Sequence, residues 1–233
     1  MWIKICANTS LADAQLAIDA GADALGFVFT PSPRQVTPAE VRAITSHVPE
    51  HIERYGVFVR PSFQQVVETV EQAGLSGVQL HVTDDPGLAL RLREYFSTIA
   101  GRKRLGLLRV LHFPPAGVGF DAQLAELQAD HAVDAVLVDS RTATAEGGTG
   151  FHFDWAQASG SFLRAAPHLR LIVAGGLEPN NVAEAIATLR PWGVDVVTGV
   201  EASPGRKDPA KVRTFIERAR ATARALAGVA EKL

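Results

Sequence analysis

The chain's only cysteine ends its first apolar run, in Trp2-Ile3-Lys4-Ile5-Cys6, and an aspartate ends the sixth, in Ala135-Val136-Leu137-Val138-Asp139. A thiol and a carboxyl group can divide a proton transfer between them, one as base and the other as acid. Cys6 can serve as a base only as the thiolate, so its pKa must fall from about 8.5 under a nearby cation or positive dipole. Asp139 can serve as an acid near neutral pH only if burial or a neighbouring anion raises its pKa. Each has a plainer reading. A lone cysteine is more often a small buried hydrophobe, and an aspartate after a strand is an ordinary turn residue.

Three glycine-bearing segments supply a second kind of chemistry. They are Gly147-Gly148-Thr149-Gly150, Ala174-Gly175-Gly176-Leu177 and Thr198-Gly199-Val200-Glu201, and they follow the sixth, seventh and eighth apolar runs. Bare backbone N–H groups at such turns can embrace an anion, so Gly148, Thr149, Gly150, Gly175, Gly176, Gly199 and Val200 are candidate binders of a phosphorylated small molecule. Arg34, held in Pro31-Ser32-Pro33-Arg34, could pair bidentately with a carboxylate. His81 closes Val78-Gln79-Leu80-His81 and could orient a ligand or help polarise the thiol; a solvated rim histidine is the alternative.

The elements that must position these groups alternate along the whole chain. Short β-branched runs lie at 2–6, 24–29, 55–59, 77–80, 105–110, 135–138, 171–173 and 194–197, with amphipathic segments spaced by three and four between them. Strict alternation implies parallel strands with right-handed crossovers, covered by helices outside. Eight such units in 233 residues predict one (β/α)8 TIM barrel over 1–233. An open doubly wound sheet is the main rival, but no early dinucleotide fingerprint supports it. In a barrel every strand end points to one face, so Cys6 and Asp139 can meet across a pocket despite their sequence separation. The irregular segments 30–36, 112–119, 139–152 and 198–207 all follow strands, on the side where function sits.

Helix starts agree with this division. Ser10, Thr37, Ser62, Asp85, Asp154 and Asp208 are predicted caps, with Glu40 and Gln65 completing capping boxes for Thr37 and Ser62. Pro38, Pro86, Pro179 and Pro209 lie at or near first helical positions. Lys4 shares strand parity with Cys6 and should also point inward, where Asp195 on the eighth strand is its expected structural partner. The region of Trp192 is assigned to packing.

Composition sets outer bounds. The 47% hydrophobic and 21% charged fractions are those of a globular protein. A net charge of −2 gives no electrostatic case for nucleic acid or an anionic membrane. One cysteine cannot form an internal disulfide, and no apolar stretch reads as a signal or a membrane span, so a cytoplasmic setting is expected. No obligate protein partner is evident.

In order and spacing the chain resembles the phosphoribosylanthranilate isomerases of tryptophan biosynthesis. The resemblance is carried by Lys4-Ile5-Cys6, the run from Gly21 to Phe29, Ser32-Pro33-Arg34, Gly56-Val57-Phe58-Val59, Val78-Gln79-Leu80-His81, Val138-Asp139-Ser140, Gly147-Gly148-Thr149-Gly150, Phe153-Asp154-Trp155, Ala174-Gly175-Gly176-Leu177, and Gly199-Val200-Glu201 through Pro204-Gly205-Arg206-Lys207-Asp208. It implies an Amadori rearrangement with Asp139 as general acid and Cys6 as general base. It also implies Arg34 on the anthranilate carboxylate, the glycine loops on the phosphate, and no metal or organic cofactor.

Three departures stand out. Ala7 and Val82 occupy positions where glycine is usual in that family, and the loop after the fifth strand is longer and richer in proline. They bear on substrate fit rather than reaction type, and leave room for a related isomerase of another phosphosugar or a degenerate phosphosugar-binding barrel. A synthase of the indole-glycerol-phosphate type is disfavoured, since none of the five lysines ends a strand.

Overall fold

The computed structural model describes residues 1–101, 103–114, 117–139 and 154–230. Eight parallel strands close into a barrel: β1 (Trp2–Ile5), β2 (Ala24–Val28), β3 (Glu53–Phe58), β4 (Gly77–Leu80), β5 (Gly106–His112), β6 (Ala135–Asp139), β7 (Leu171–Ala174) and β8 (Gly193–Val196). Closure is made by β8 on β1, with Lys4 opposite Asp195 in the register. Helices α1 (Leu11–Ala20), α2 (Pro38–Thr45), α3 (Phe63–Ala73), α4 (Leu88–Ser97), α5 (Phe120–Ala129), α6 (Trp155–Ala165), α7 (Val182–Leu189) and α8 (Pro209–Ala230) follow the strands in turn. A small antiparallel ribbon, β9 (Glu201–Ser203) with β10 (Arg206–Lys207), folds over the end of β8.

Strand alternation sorts the apolar residues into two cores. One lies between sheet and helices and includes Ile3, Ile5, Leu25, Phe27, Phe162 and Phe215. The other fills the barrel, with Trp2, Tyr55, Leu108, Leu137 and Ile172 among its members. The two large rings at its amino-terminal floor meet edge to face at 6.0 Å. Glycines make room for them: a Cβ at Gly77 would lie 2.3 Å from the Tyr55 ring, and one at Gly193 would lie 2.8 Å from Trp2. Trp192 stacks on Trp2 from outside at 5.2 Å.

Most caps lie where the side-chain chemistry puts them. Ser10, Ser62 and Asp154 accept the expected N3 amides, and Thr37 forms a complete capping box with Glu40, each cap contributing on the order of 1 kcal/mol. Asp208 accepts from the amides of Ala210 and Lys211. Asp85 differs. Its carboxylate closes a turn onto the Gly87 amide at 2.9 Å, so α4 starts two residues later than a cap at Asp85 would place it.

Candidate active site

The carboxyl ends of the strands enclose a cavity of about 200 Å³ lined by Cys6, Arg34, His81, Asp139, Gly175 and Gly176, together with Gln79, Asp195, Thr198 and the apolar side chains of Val28 and Val57. Six of the residues singled out from sequence therefore share one space. Gly199 and Val200 are not in its lining. The Val200 side chain is buried in the outer core, while a Cβ at Gly199 would fall 2.0 Å from the Leu177 carbonyl oxygen. Gly148, Thr149 and Gly150 lie outside the described residues.

Cys6 follows β1 directly. Its N–H donates to Val196 O at 2.9 Å, and its carbonyl accepts the Lys207 ammonium at 2.6 Å. The thiol rests against bare backbone of β2, since a Cβ on Gly26 would be 2.4 Å from Sγ. The next residue, Ala7, has φ +59° and is fully buried. That left-handed conformation favours glycine, so the departure at this position carries backbone strain. Val82 is not among the positive-φ residues and carries no such strain. Asn8 fixes the loop: its amide N–H and side-chain NH2 both donate to Gly26 O, and the side chain also reaches Ile5 O at 2.8 Å.

Beneath Cys6 the Lys4 ammonium is fully buried and donates to Asp195 Oδ1 at 2.7 Å and Gln79 Oε1 at 2.9 Å. Lysine only donates, so Gln79 must turn its oxygen to Lys4 and its NH2 to His81 Nε2, 2.9 Å away. The neutral His81 ring then carries its proton on Nδ1. Burial pushes the Cys6 thiol up, Lys4 draws it down, Asp195 adds to the rise and Lys207 opposes it, leaving the pKa above its ordinary value; the fall that a thiolate base requires is not met, because burial outweighs the two cations. For Lys4, burial acts against the charge, but Asp195 and then Cys6 more than offset it and hold the ammonium.

Arg34 enters the cavity from the loop after β2, its backbone N–H held by Ser32 Oγ. Its Nε and Nη2 fork the Glu201 carboxylate at 2.9 and 2.7 Å, and these bonds raise its pKa. Burial alone would raise the Glu201 carboxyl, but the Arg34 hydrogen bonds and the Lys207 and Arg34 charges hold it below the usual glutamate value. Glu201 also accepts the Gly205 amide at 3.1 Å and approaches Lys207 Nζ at 3.5 Å. Sequence reasoning assigned no role to Gln79, Glu201 or Lys207. The parity of Gln79 on β4 with His81 just after it was a usable signal. Glu201 and Lys207 belong to a short ribbon whose contacts obey no periodicity.

Asp139 ends β6 opposite His112, and its carbonyl accepts the Phe113 N–H at 3.1 Å. Its side chain is buried at the cavity wall. After β7 the consecutive residues Gly175 and Gly176 adopt φ +78° and +65°, a turn that side chains bearing a Cβ would disfavour. Asn181 secures it by donating to Gly176 O at 2.9 Å.

An eight-stranded β/α barrel with a thiol, a carboxyl group, a guanidinium and a glycine turn gathered at its carboxyl-terminal mouth defines the class of barrel enzymes that act on a small molecule there. Known proteins agree with that class. The family model described as N-(5'phosphoribosyl)anthranilate (PRA) isomerase matches residues 3–218. The N-(5'-phosphoribosyl)anthranilate isomerase of Pelobacter propionicus is 40% identical over 221 residues, covering 94% of this chain and 96% of that protein. The crystal structure of the Thermotoga maritima phosphoribosyl anthranilate isomerase superposes with a TM-score of 0.78 at 31% identity, covering 95% of this chain and 99% of its own. A phosphoribosyl anthranilate isomerase in complex with reduced 1-(o-carboxyphenylamino)-1-deoxyribulose 5-phosphate gives a TM-score of 0.75 at 31% identity, with the same coverage. The chain belongs to the phosphoribosylanthranilate isomerase family, enzymes of tryptophan biosynthesis. Among the described residues no helix is long and apolar enough to cross a membrane.

Proposed function

We propose that this chain converts N-(5'-phosphoribosyl)anthranilate to 1-(2-carboxyphenylamino)-1-deoxyribulose 5-phosphate with Asp139 as general acid and Cys6 as general base. The observation that carries the reading is that Cys6 and Asp139, on opposite sides of the barrel, line one cavity with Arg34 and the Gly175–Gly176 turn. Asp139 gives its proton to the ribose ring oxygen, the bond from that oxygen to the first sugar carbon breaks, and the anilino nitrogen supplies the electron pair of the resulting Schiff base. The Cys6 thiolate then removes the proton on the second sugar carbon, the electron pair moving to neutralise the iminium and give an enolamine. Tautomerisation to the ketone completes an exchange of protons in which nothing is added or lost.

Arg34 is oriented by Glu201 through Nε and Nη2, so the guanidinium edge bearing Nη1 is the one presented to the anthranilate carboxylate. The backbone at Gly175, Gly176 and Thr198 faces the phosphate end. A relative's complex with reduced 1-(o-carboxyphenylamino)-1-deoxyribulose 5-phosphate supports a site with room for both a carboxyphenyl and a phosphate group.

The test is turnover of phosphoribosylanthranilate generated in place from anthranilate and phosphoribosyl pyrophosphate, followed by loss of substrate fluorescence against spontaneous decay. Cys6→Ser and Asp139→Asn should each lower kcat by about 10²–10⁴ with KM little changed. Near-normal rates in either variant would remove that residue from its role.

A further inference from the structure

Cys6 as base needs a cation to make ionisation affordable, and the barrel holds one immediately below it. Lys4 on β1 and Cys6 just after it are two residues apart and keep the same parity towards the barrel interior. An ammonium has three N–H donors. Two are taken by Asp195 and Gln79, both of which border the cavity that Cys6 also borders. Cys6 borders that cavity two residues on from Lys4, and the ammonium's charge acts on its thiol in favour of the thiolate. We propose that Lys4 is a positioning residue for the reaction: its ammonium, locked in place by Asp195 and Gln79, stabilises the thiolate form of Cys6. This rests on the reading of Cys6 as the base.

An ion pair that only braced the barrel would be an expensive choice. Several kcal/mol of desolvation attend each buried ion, and apolar side chains of similar volume often replace such pairs without loss. The interior of this barrel is otherwise packed with residues such as Leu108, Leu137 and Ile172. The pair instead occupies the layer next to the reactive thiol, with the positive member exerting the larger effect on it. The other charged or titratable groups around Cys6 are Asp195 on β8, Lys207 on β10, Arg34 after β2, His81 after β4 and Asp139 on β6. Lys207 is engaged with the Cys6 carbonyl and Glu201, and Arg34 with Glu201. Lys4 is therefore the cation with the larger effect on the sulfur, and Lys207 adds a smaller one.

The chain has one cysteine, so carbon-13 at the cysteine Cβ reports the titration of that thiol alone in the intact protein. Lys4→Met leaves Asp195 uncompensated beside the sulfur and should move the titration midpoint up by at least about one pH unit. The double variant Lys4→Met/Asp195→Asn removes both charges, and its midpoint should fall between those of wild type and Lys4→Met. An unpaired buried carboxylate can prevent folding; the double variant carries none, so its midpoint against wild type decides the matter even where Lys4→Met does not fold. Midpoints equal to wild type, or lower, overturn the proposal. The pH profile of kcat/KM tests the base assignment separately. If the midpoint rises and the acidic limb of the profile stays in place, Lys4 tunes the thiol but Cys6 is not the base.

Discussion

Gly26→Ala tests how finely the thiol must be placed. A Cβ on residue 26 would stand 2.4 Å from Cys6 Sγ and 3.1 Å from both Cα and Cβ of Cys6. Non-bonded heavy atoms settle at about 3.5–4.0 Å, so the sulfur must retreat by about 1 Å, or β1 and β2 must spread. The strands have little freedom to spread, because Asn8 bonds to the Gly26 carbonyl through two of its N–H groups and the Cys6 amide is tied to Val196. The displacement therefore falls mainly on the thiol. A misplacement of about 1 Å can cost on the order of 10² in rate, and overpacking of this kind costs about 1–3 kcal/mol of stability.

Gly77→Ala is the control. Its Cβ would lie 2.3 Å from the Tyr55 ring, an equally severe clash on the barrel floor, away from the cavity. Both variants should lose comparable stability in urea titrations, and only Gly26→Ala should lose kcat when assayed well below its unfolding transition. Turnover by Gly26→Ala within a few-fold of wild type would refute the argument that the bare backbone of β2 exists to seat the sulfur. An equal loss of kcat in Gly77→Ala would trace the effect to general loosening instead.

Other outcomes follow from single contacts. Arg34→Lys loses the fork on Glu201, and should raise KM about tenfold, or about 1.4 kcal/mol of binding, with a smaller change in kcat in steady-state assays. Ala7→Val places a β-branched side chain at φ +59° in a fully buried site and should cost about 2 kcal/mol or more in urea unfolding. Ala7→Gly should be close to neutral there, because relief of about 1–2 kcal/mol of left-handed strain is offset by backbone entropy and a lost methyl. Glu201 has a folded pKa below its ordinary 4.5, so its contribution to stability is complete above that value and disappears as the pH falls through the folded one. Urea midpoints measured across that acidic range should therefore fall more steeply in the wild type than in Glu201→Gln.

The strands were legible because a parallel sheet covered on both faces needs continuous apolar runs, and each of the eight runs overlaps an observed strand. The Lys4–Asp195 pair was legible for a different reason: parity turns both inward, and closure makes β8 the neighbour of β1. What escaped depends on irregular backbone. Asp85 has capping chemistry, but Pro86 and Gly87 let it close a turn of its own before α4. The partner of Arg34 is Glu201, brought over the barrel mouth by a ribbon with a register shift between Arg206 and Lys207. Nothing in the spacing of those residues announces that contact. The strain at Ala7 is visible only as a dihedral angle, although its place beside Cys6 marked it as a departure.

The inside of the barrel is organised as three levels, and their order explains the chemistry of the mouth. At the floor, Trp2 and Tyr55 fill the space left by Gly77, Gly106 and Gly193. Above them lie the buried Lys4, Gln79 and Asp195, with the Lys4 ammonium donating to the other two. Cys6, His81 and Asp139 form the rim of the cavity. Charges in the middle level act through protein rather than solvent, where a unit charge at a few ångströms exerts several times the influence it would have in water. A solid floor is thus a condition for a strong field at the thiol, and the polar level is held together by the two hydrogen bonds of the Lys4 ammonium. On the proposed reading of Cys6 as the base, Lys4, which is not in the cavity lining, thereby bears on the protonation of a residue that is.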